Sequence, residues 1–352
     1  MPVVHTTSPI APFWLPNGHF QSIYPALFRK IGDVPYQRER MVTPDQDFLD
    51  LDWAFSKGGK ENEGGKQEGS ERRKGAKGGR RCGEKSMPLV ILSHGLEGNS
   101  TRQYILGMVR LLTRHGYDCL AWNYRSCSGE MNQQARFYHS GATDDLDLVV
   151  QHALAKGYTE INLMGFSLGG NLTLKYVGEQ GTSIHPAIQK TVVFSVPMDL
   201  LACSRAIEKR ENRVYLRRFL RTLKPKVELK GRHFPDRLDA SQYQRVKTFY
   251  DFDHIFTAAL HGFDSADDYY ARSSAKYYVE HIAIPTLIVN ALNDPLIPPE
   301  SLPQQLIADL PNVWLELTTD GGHCGFRPAQ MTDGAYWSER RALKFLREQP
   351  VY

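Results

Sequence analysis

Ile161-Asn162-Leu163-Met164-Gly165-Phe166-Ser167-Leu168-Gly169-Gly170-Asn171-Leu172 decides the fold. An apolar run leads into Gly165-Phe166-Ser167-Leu168-Gly169, and a helix-compatible run, Asn171 to Val177, leads out of it. The pattern G-x-S-x-G between a buried strand and a helix predicts a sharp turn that projects the serine hydroxyl from the end of a sheet. Strand and helix backbones pass close together at such a turn. Small residues must flank the serine, and Gly165 and Gly169 supply the room.

Working outward, the chain alternates. Strands are expected at Pro88–Ser93, Asp118–Tyr124, Ile161–Gly165, Lys190–Val196, Pro285–Ala291 and Val313–Leu317. Helices are expected at Arg102–Arg114, Asp144–Leu154 and Trp337–Arg347. Asp144 and Asp145 suit a helix N-terminus. Two further strands, Glu39–Thr43 and Asp47–Phe55, flank a Pro-Asp turn. Alternating β and α predicts a mainly parallel sheet with helices on both faces. From about residue 201 to 282 the text is charged, aromatic and helix-like. It predicts a helical cap inserted over the carboxyl ends of the strands, where open α/β sheets hold ligands. The expected organisation is a single α/β domain over 1–352, with an N-terminal arm at 1–37, an insertion at 56–86 and the cap at 201–282. Trp14, Phe20, Tyr24 and Phe28 are the residues expected to pack the arm on the body.

The 352 residues carry 43 Lys or Arg against 39 Asp or Glu. Ten of the basic and five of the acidic residues fall between Ser56 and Ser86, which leaves the rest of the chain at 33 against 34. That tract is almost free of apolar residues and cannot offset its ordering entropy by burial, so a flexible hairpin insertion is expected. A near-neutral body implies no nucleic-acid groove. Cys82, Cys119, Cys127, Cys203 and Cys324 are scattered, odd in number and form no C-x-x-C pair. This predicts reduced thiols in a cytoplasmic protein and neither a zinc site nor a disulfide framework. The N-terminal residues do not read as a secretory signal. No stretch approaches the roughly 20 apolar residues that span a bilayer.

A serine nucleophile needs a base for its proton, and the base needs a carboxylate to fix its tautomer. Asn293-Asp294-Pro295 follows the apolar run Thr286 to Asn290, so Asp294 is expected to emerge at a strand end. Asp199, which also follows a strand, is the rival acid. Gly321-Gly322-His323-Cys324-Gly325 follows the last expected strand and can bend until the ring of His323 reaches the serine. The oxyanion needs two donors. The backbone N–H of Leu168, directly after the serine, and that of Leu96, in the loop Ser93-His94-Gly95-Leu96-Glu97-Gly98, are the candidates. His94 is expected to brace that loop without moving protons. His139 and Asp144 have the H-x-x-x-x-D spacing of an acyltransferase box, and the aromatic residues between Phe252 and Tyr278 could line an acyl pocket or fill the core of the cap.

These stretches resemble the α/β-hydrolase superfamily. Gly18-His19-Phe20-Gln21-Ser22, Asn123-Tyr124-Arg125-Ser126-Cys127-Ser128-Gly129, Tyr138-His139-Ser140-Gly141, Phe252-Asp253, His261-Gly262-Phe263 and Asp268-Tyr269-Tyr270 resemble, more narrowly, its AB hydrolase 4 family of YheT-type proteins. The resemblance spans nearly the whole chain apart from 56–86. It implies a carboxylesterase with a charge relay on Ser167, Asp294 and His323, needing no cofactor or metal and acting on a small-molecule ester. An acyltransferase or lipid-directed lipase would use the same three residues, and a hydrolase-fold binding module would keep the fold without turnover.

Overall fold

The structure, a computed structural model, describes residues 3–6, 10–32, 34–56, 87–331 and 333–348. The expected insertion, all but Ser56, lies outside the described residues. Nine strands form one sheet: β1 (Val3–Thr6), β2 (Gln37–Val42), β3 (Phe48–Ala54), β4 (Leu89–Ser93), β5 (Asp118–Asn123), β6 (Ile161–Phe166), β7 (Ile188–Phe194), β8 (Thr286–Ala291) and β9 (Val313–Thr318). Their order across the sheet is β1-β9-β8-β7-β6-β4-β5-β3-β2. All neighbours run parallel except β2 with β3 and β3 with β5. The fold is thus the expected α/β arrangement, with a mainly parallel sheet. The sequence reading lacked β1, a four-residue strand that pairs with β9 at the sheet edge.

Burial explains the strand sequences. Every residue of β4 and β6 is buried, as parallel strands covered on both faces must be. The two-residue period then sorts side chains between two cores. Leu89 and Ile91 enter one, with α3 (Thr143–Ala155) and α4 (Leu168–Gln180); Val90 and Leu92 enter the other, with α2 (Gln103–Arg114) and the C-terminal helix Trp337–Arg347. Between β7 and β8 the described residues form helices and no strand, among them α5 (Leu200–Glu208) and α6 (Arg213–His233). Leu216, Leu223, Phe252 and Phe256 of this segment join the first core.

The order of strands changes direction at β4, which has β5 on one side and β6 on the other. The loops that leave β4 and β6 therefore diverge to opposite faces at their carboxyl ends, and a crevice opens there. An N-terminal helix, α1 (Gly18–Phe28), lies at the same end. It does not pack as its aromatic content suggests. Phe20 and Phe28 are exposed, and Trp14 partly so, while Gly18, Gln21, Ser22 and Pro25 are buried. The inward face is small and polar because it meets loop backbone, which offers N–H and C=O groups rather than apolar surface.

Candidate active site

Ser167 sits between β6 and α4 with φ 54° and ψ −122°, a conformation costly for any residue with a Cβ. The surrounding contacts hold it there. Its N–H donates to Phe194 O at 2.9 Å, and its carbonyl accepts from Gly170 and Asn171 N–H. A Cβ on Gly165 would lie 2.3 Å from Gly169 O, and one on Gly169 would lie 2.3 Å from Ser93 O. No side chain fits at either place, which is the steric requirement read from the sequence.

The structure brings Asp294, His323 and Ser167 together in a row. Asp294 Oδ2 lies 2.8 Å from His323 Nδ1, and His323 Nε2 lies 2.9 Å from Ser167 Oγ. With a carboxylate at Nδ1, that nitrogen carries the ring proton, so Nε2 presents its lone pair to the serine hydroxyl. The other oxygen of Asp294 accepts from Leu296 N–H at 2.8 Å, which fixes the carboxylate plane. Asp294 is buried and the imidazole is half-buried. The rival acid, Asp199, is used elsewhere: it caps α5 through Ala202 N–H and pairs with Lys276 at 2.6 Å.

Three residues of α1 hold the loops that carry Asp294 and His323, and the sequence alone assigns them no role. Ser22 Oγ accepts from His323 N–H at 2.7 Å. Gln21 Oε1 accepts from Gly321 N–H at 2.7 Å and from Asn293 Nδ2 at 2.9 Å, so one amide ties the acid loop to the histidine loop. Gly18 packs so tightly on the acid loop that a Cβ would fall 1.7 Å from Asn293 O. Their signal was the run Gly18 to Ser22, which carried the family resemblance without a mechanism.

The loop after β4 is held by its own hydrogen bonds and by two aromatic rings. Gly98 N–H closes a turn on Gly95 O at 2.9 Å, and Gly95 N–H donates to Tyr104 Oη at 2.9 Å. Tyr124 N–H donates to His94 Nε2 at 3.2 Å, so the His94 proton is on Nδ1, which donates to Gly95 O at 2.8 Å. Burial pushes His94 down to about 3, and the ring stays neutral as a brace. A Cβ on Gly95 would sit 3.2 Å from Ser167 Cβ, which places this loop against the serine. Among the described residues the Leu96 and Leu168 amides donate to no protein acceptor, the state an oxyanion donor must be in before substrate arrives.

Two chambers meet at Ser167 and share Leu96, Phe219, Leu296 and His323. One is walled mainly by apolar residues such as Leu200, Ile207, Leu223 and Phe249. The other is lined by polar groups including Thr101, Arg102, Tyr104 and Arg218.

Residues 88–327 match the α/β-hydrolase fold family. The candidate esterase YheT of Escherichia coli K12 is 33% identical over 94% of this chain and 90% of its own length. Phospholipase ABHD3 of Mus musculus is 35% identical over 68% of this chain and 58% of its own. The Pyrococcus furiosus esterase Pf2001 superposes with a TM-score of 0.53 at 16% identity, covering 98% of this chain and 96% of that one, a likeness of fold. The chain belongs to the α/β-hydrolase family. Its AB hydrolase 4 membership rests on the length of the YheT match.

The hydrolase does not assemble the acyltransferase spacing. Asp144 pairs with Arg136 at 2.9 Å on the surface, whereas His139 lies among His261, Phe263 and Tyr269 on the wall of the apolar chamber. Aromatics between β7 and β8 serve both expected roles at once. Phe249, Phe252, Tyr269 and Tyr270 touch the chamber and also belong to buried clusters. Among the described residues no group of three or more His, Cys, Asp or Glu could hold a metal ion, and no helix is long and apolar enough to cross a membrane.

Proposed function

We propose that this hydrolase cleaves carboxylic esters through an acyl-enzyme on Ser167. The observation that carries the reading is the unbroken Asp294–His323–Ser167 row at the junction of two chambers. Ser167 Oγ attacks the ester carbonyl while His323 Nε2 takes its proton. The carbonyl oxygen gains negative charge and is met by the N–H groups of Leu96 and Leu168. His323 then protonates the departing alcohol. Water enters, loses a proton to His323 and releases the acid, which restores the serine. Asp294 keeps the proton on Nδ1 and stabilises the imidazolium formed twice in the cycle. The apolar chamber suits the acyl chain and the polar chamber suits the alcohol, with residues 201–282 acting as the cap that walls both.

The test is a fluorophosphonate label, combined with hydrolysis of p-nitrophenyl esters of increasing acyl length. Ser167→Ala should abolish labelling and lower ester turnover by about 10³-fold or more. Asp294→Asn should lower turnover by a comparable factor, because the amide favours the wrong tautomer of His323. Labelling that survives Ser167→Ala removes the serine from the mechanism. An unlabelled wild-type protein that turns over no ester points instead to a binding module.

A further inference from the structure

Helix α1 is inverted. Its polar and small residues face the protein, and its large apolar residues face outward. A surface helix of a globular protein does the opposite. Among the described residues thirteen large hydrophobic side chains are exposed, and six of them, Phe13, Trp14, Phe20, Ile23, Leu27 and Phe28, lie within residues 13–28. Phe13 is 95% exposed, Leu27 62% and Phe28 63%, so this is not the scatter of single residues that needs no account. A seventh, Val214, lies in the first turn of the neighbouring helix α6, which joins α1 through a 3.2 Å contact between His19 Nδ1 and Tyr215 Oη.

The exposed face of α6 is basic. Arg213, Arg217, Arg218, Arg221 and Lys224 recur at helical spacing and are exposed. Among the described residues Arg213, Arg217, Arg218 and Arg221 have no acidic partner. The body as a whole is nearly neutral, and this charge lies on the helix that contacts α1. The polar chamber that reaches Ser167 is lined by Pro25 and Ala26 of α1 and by Arg218 and Thr222 of α6, so the two helices flank its mouth.

We propose that the outer face of α1 and the basic face of α6 form one docking surface for an anionic lipid membrane. The apolar side chains enter the boundary of the acyl region while the arginines meet phosphate oxygens. A second copy of the chain fits the same surface poorly, because a two-fold pairing through it would bring two positively charged surfaces together. The surface rims the entry to the triad, which therefore faces the membrane. The inference does not depend on Ser167 chemistry, since it concerns binding alone.

Co-sedimentation with vesicles tests it, using Ser167→Ala protein so that turnover plays no part. Phosphatidylcholine vesicles containing phosphatidylglycerol should carry the protein down at low salt, and high salt should release it. Arg217→Glu with Arg221→Glu should weaken the partition by about 30-fold or more. Phe20→Ser with Leu27→Ser should abolish it. Melting by circular dichroism confirms that each variant is folded, and a variant that does not melt cooperatively is replaced by Phe13→Ser with Phe28→Ser. Failure of the parent protein to sediment with anionic vesicles overturns the proposal. So do folded variants that bind like the parent, or a dimer on gel filtration that the apolar variant dissolves without any vesicle binding.

Discussion

Replacing Gln21 with methionine probes the claim that α1 positions the catalytic loops. Methionine keeps the volume and removes three hydrogen bonds: from Gln21 Nε2 to Leu15 O at 2.9 Å, and to Gln21 Oε1 from Gly321 N–H and Asn293 Nδ2. Gln21 is 4% exposed, so water does not replace them. A buried polar group left without a partner costs about 1–3 kcal/mol, and some relief comes from rotation of the Asn293 amide, so a net loss of about 3 kcal/mol is expected. At this chain length that lowers the melting temperature by about 4 °C. The kinetic effect should be larger than the stability loss alone would give. Gly321 is two residues from His323 and Asn293 adjoins Asp294, so loosening both loops shifts the imidazole relative to Ser167. A displacement of about 1 Å costs about 100-fold in rate. The assay is kcat and KM on a short-chain p-nitrophenyl ester alongside a thermal melt. The expected result is a lower kcat with KM little changed. A melt that falls by several degrees with kcat unaltered would refute the positioning role and leave α1 as packing.

Two further outcomes follow from buried charges. Burial pushes the Asp253 carboxyl, in the wall of the apolar chamber, up to about 6. The folded protein then holds a proton that the unfolded chain releases at lower pH, so this residue's contribution to stability declines as pH rises from about 4 through 6. Asp253→Asn should therefore melt higher than wild type above about pH 7, by up to about 3 kcal/mol in stability, with the gap closing toward about pH 4; a gap that does not vary with pH contradicts this. Arg125 is buried against Asp47 at 2.7 Å and Asp145 at 2.8 Å. Arg125→Met strands the buried Asp145 carboxylate and takes the cation from Asp47, and should cost about 3–5 kcal/mol, read as a lower denaturation midpoint; an unchanged midpoint would mean that the pairs offset their own desolvation.

The parts of this fold that could be read from sequence are those whose cause is local. Gly165 and Gly169 are needed because β6 and α4 touch within five residues of chain, so the steric demand is written beside the serine it serves. Buried parallel strands announce themselves as apolar runs, as in Leu89 to Leu92. Asp294 and His323 stand at the ends of such runs, and strand ends in this topology converge on one crevice. Short β1 gave no such signal. Its four residues are half exposed at the sheet edge, and pairing with β9 supplies what their composition does not.

The role of α1 was hidden for a different reason. Its contacts with the histidine and acid loops join residues 272 to 301 positions apart, and no local pattern encodes which distant backbone will arrive. The glycines around His323 nevertheless carried half of the message. They read as freedom for the loop to bend, and Gly322 does take φ 59°. Their second use is clearance. A Cβ on Gly322 would lie 2.7 Å from Gly18 O, and one on Gly325 would lie 2.1 Å from Gln21 O. Gly18 answers from the other side with its own 1.7 Å conflict against Asn293 O. Gly322 and Gly325 leave room for the backbone of α1, and Gly18 leaves room for that of the Asn293 loop, so glycines on both sides set how closely the helix meets the two loops. The helix that carries one of them turns polar groups inward because the surface it meets is made of peptide bonds. That same demand leaves its apolar side chains no place on the protein, and they face the solvent beside the mouth of the site.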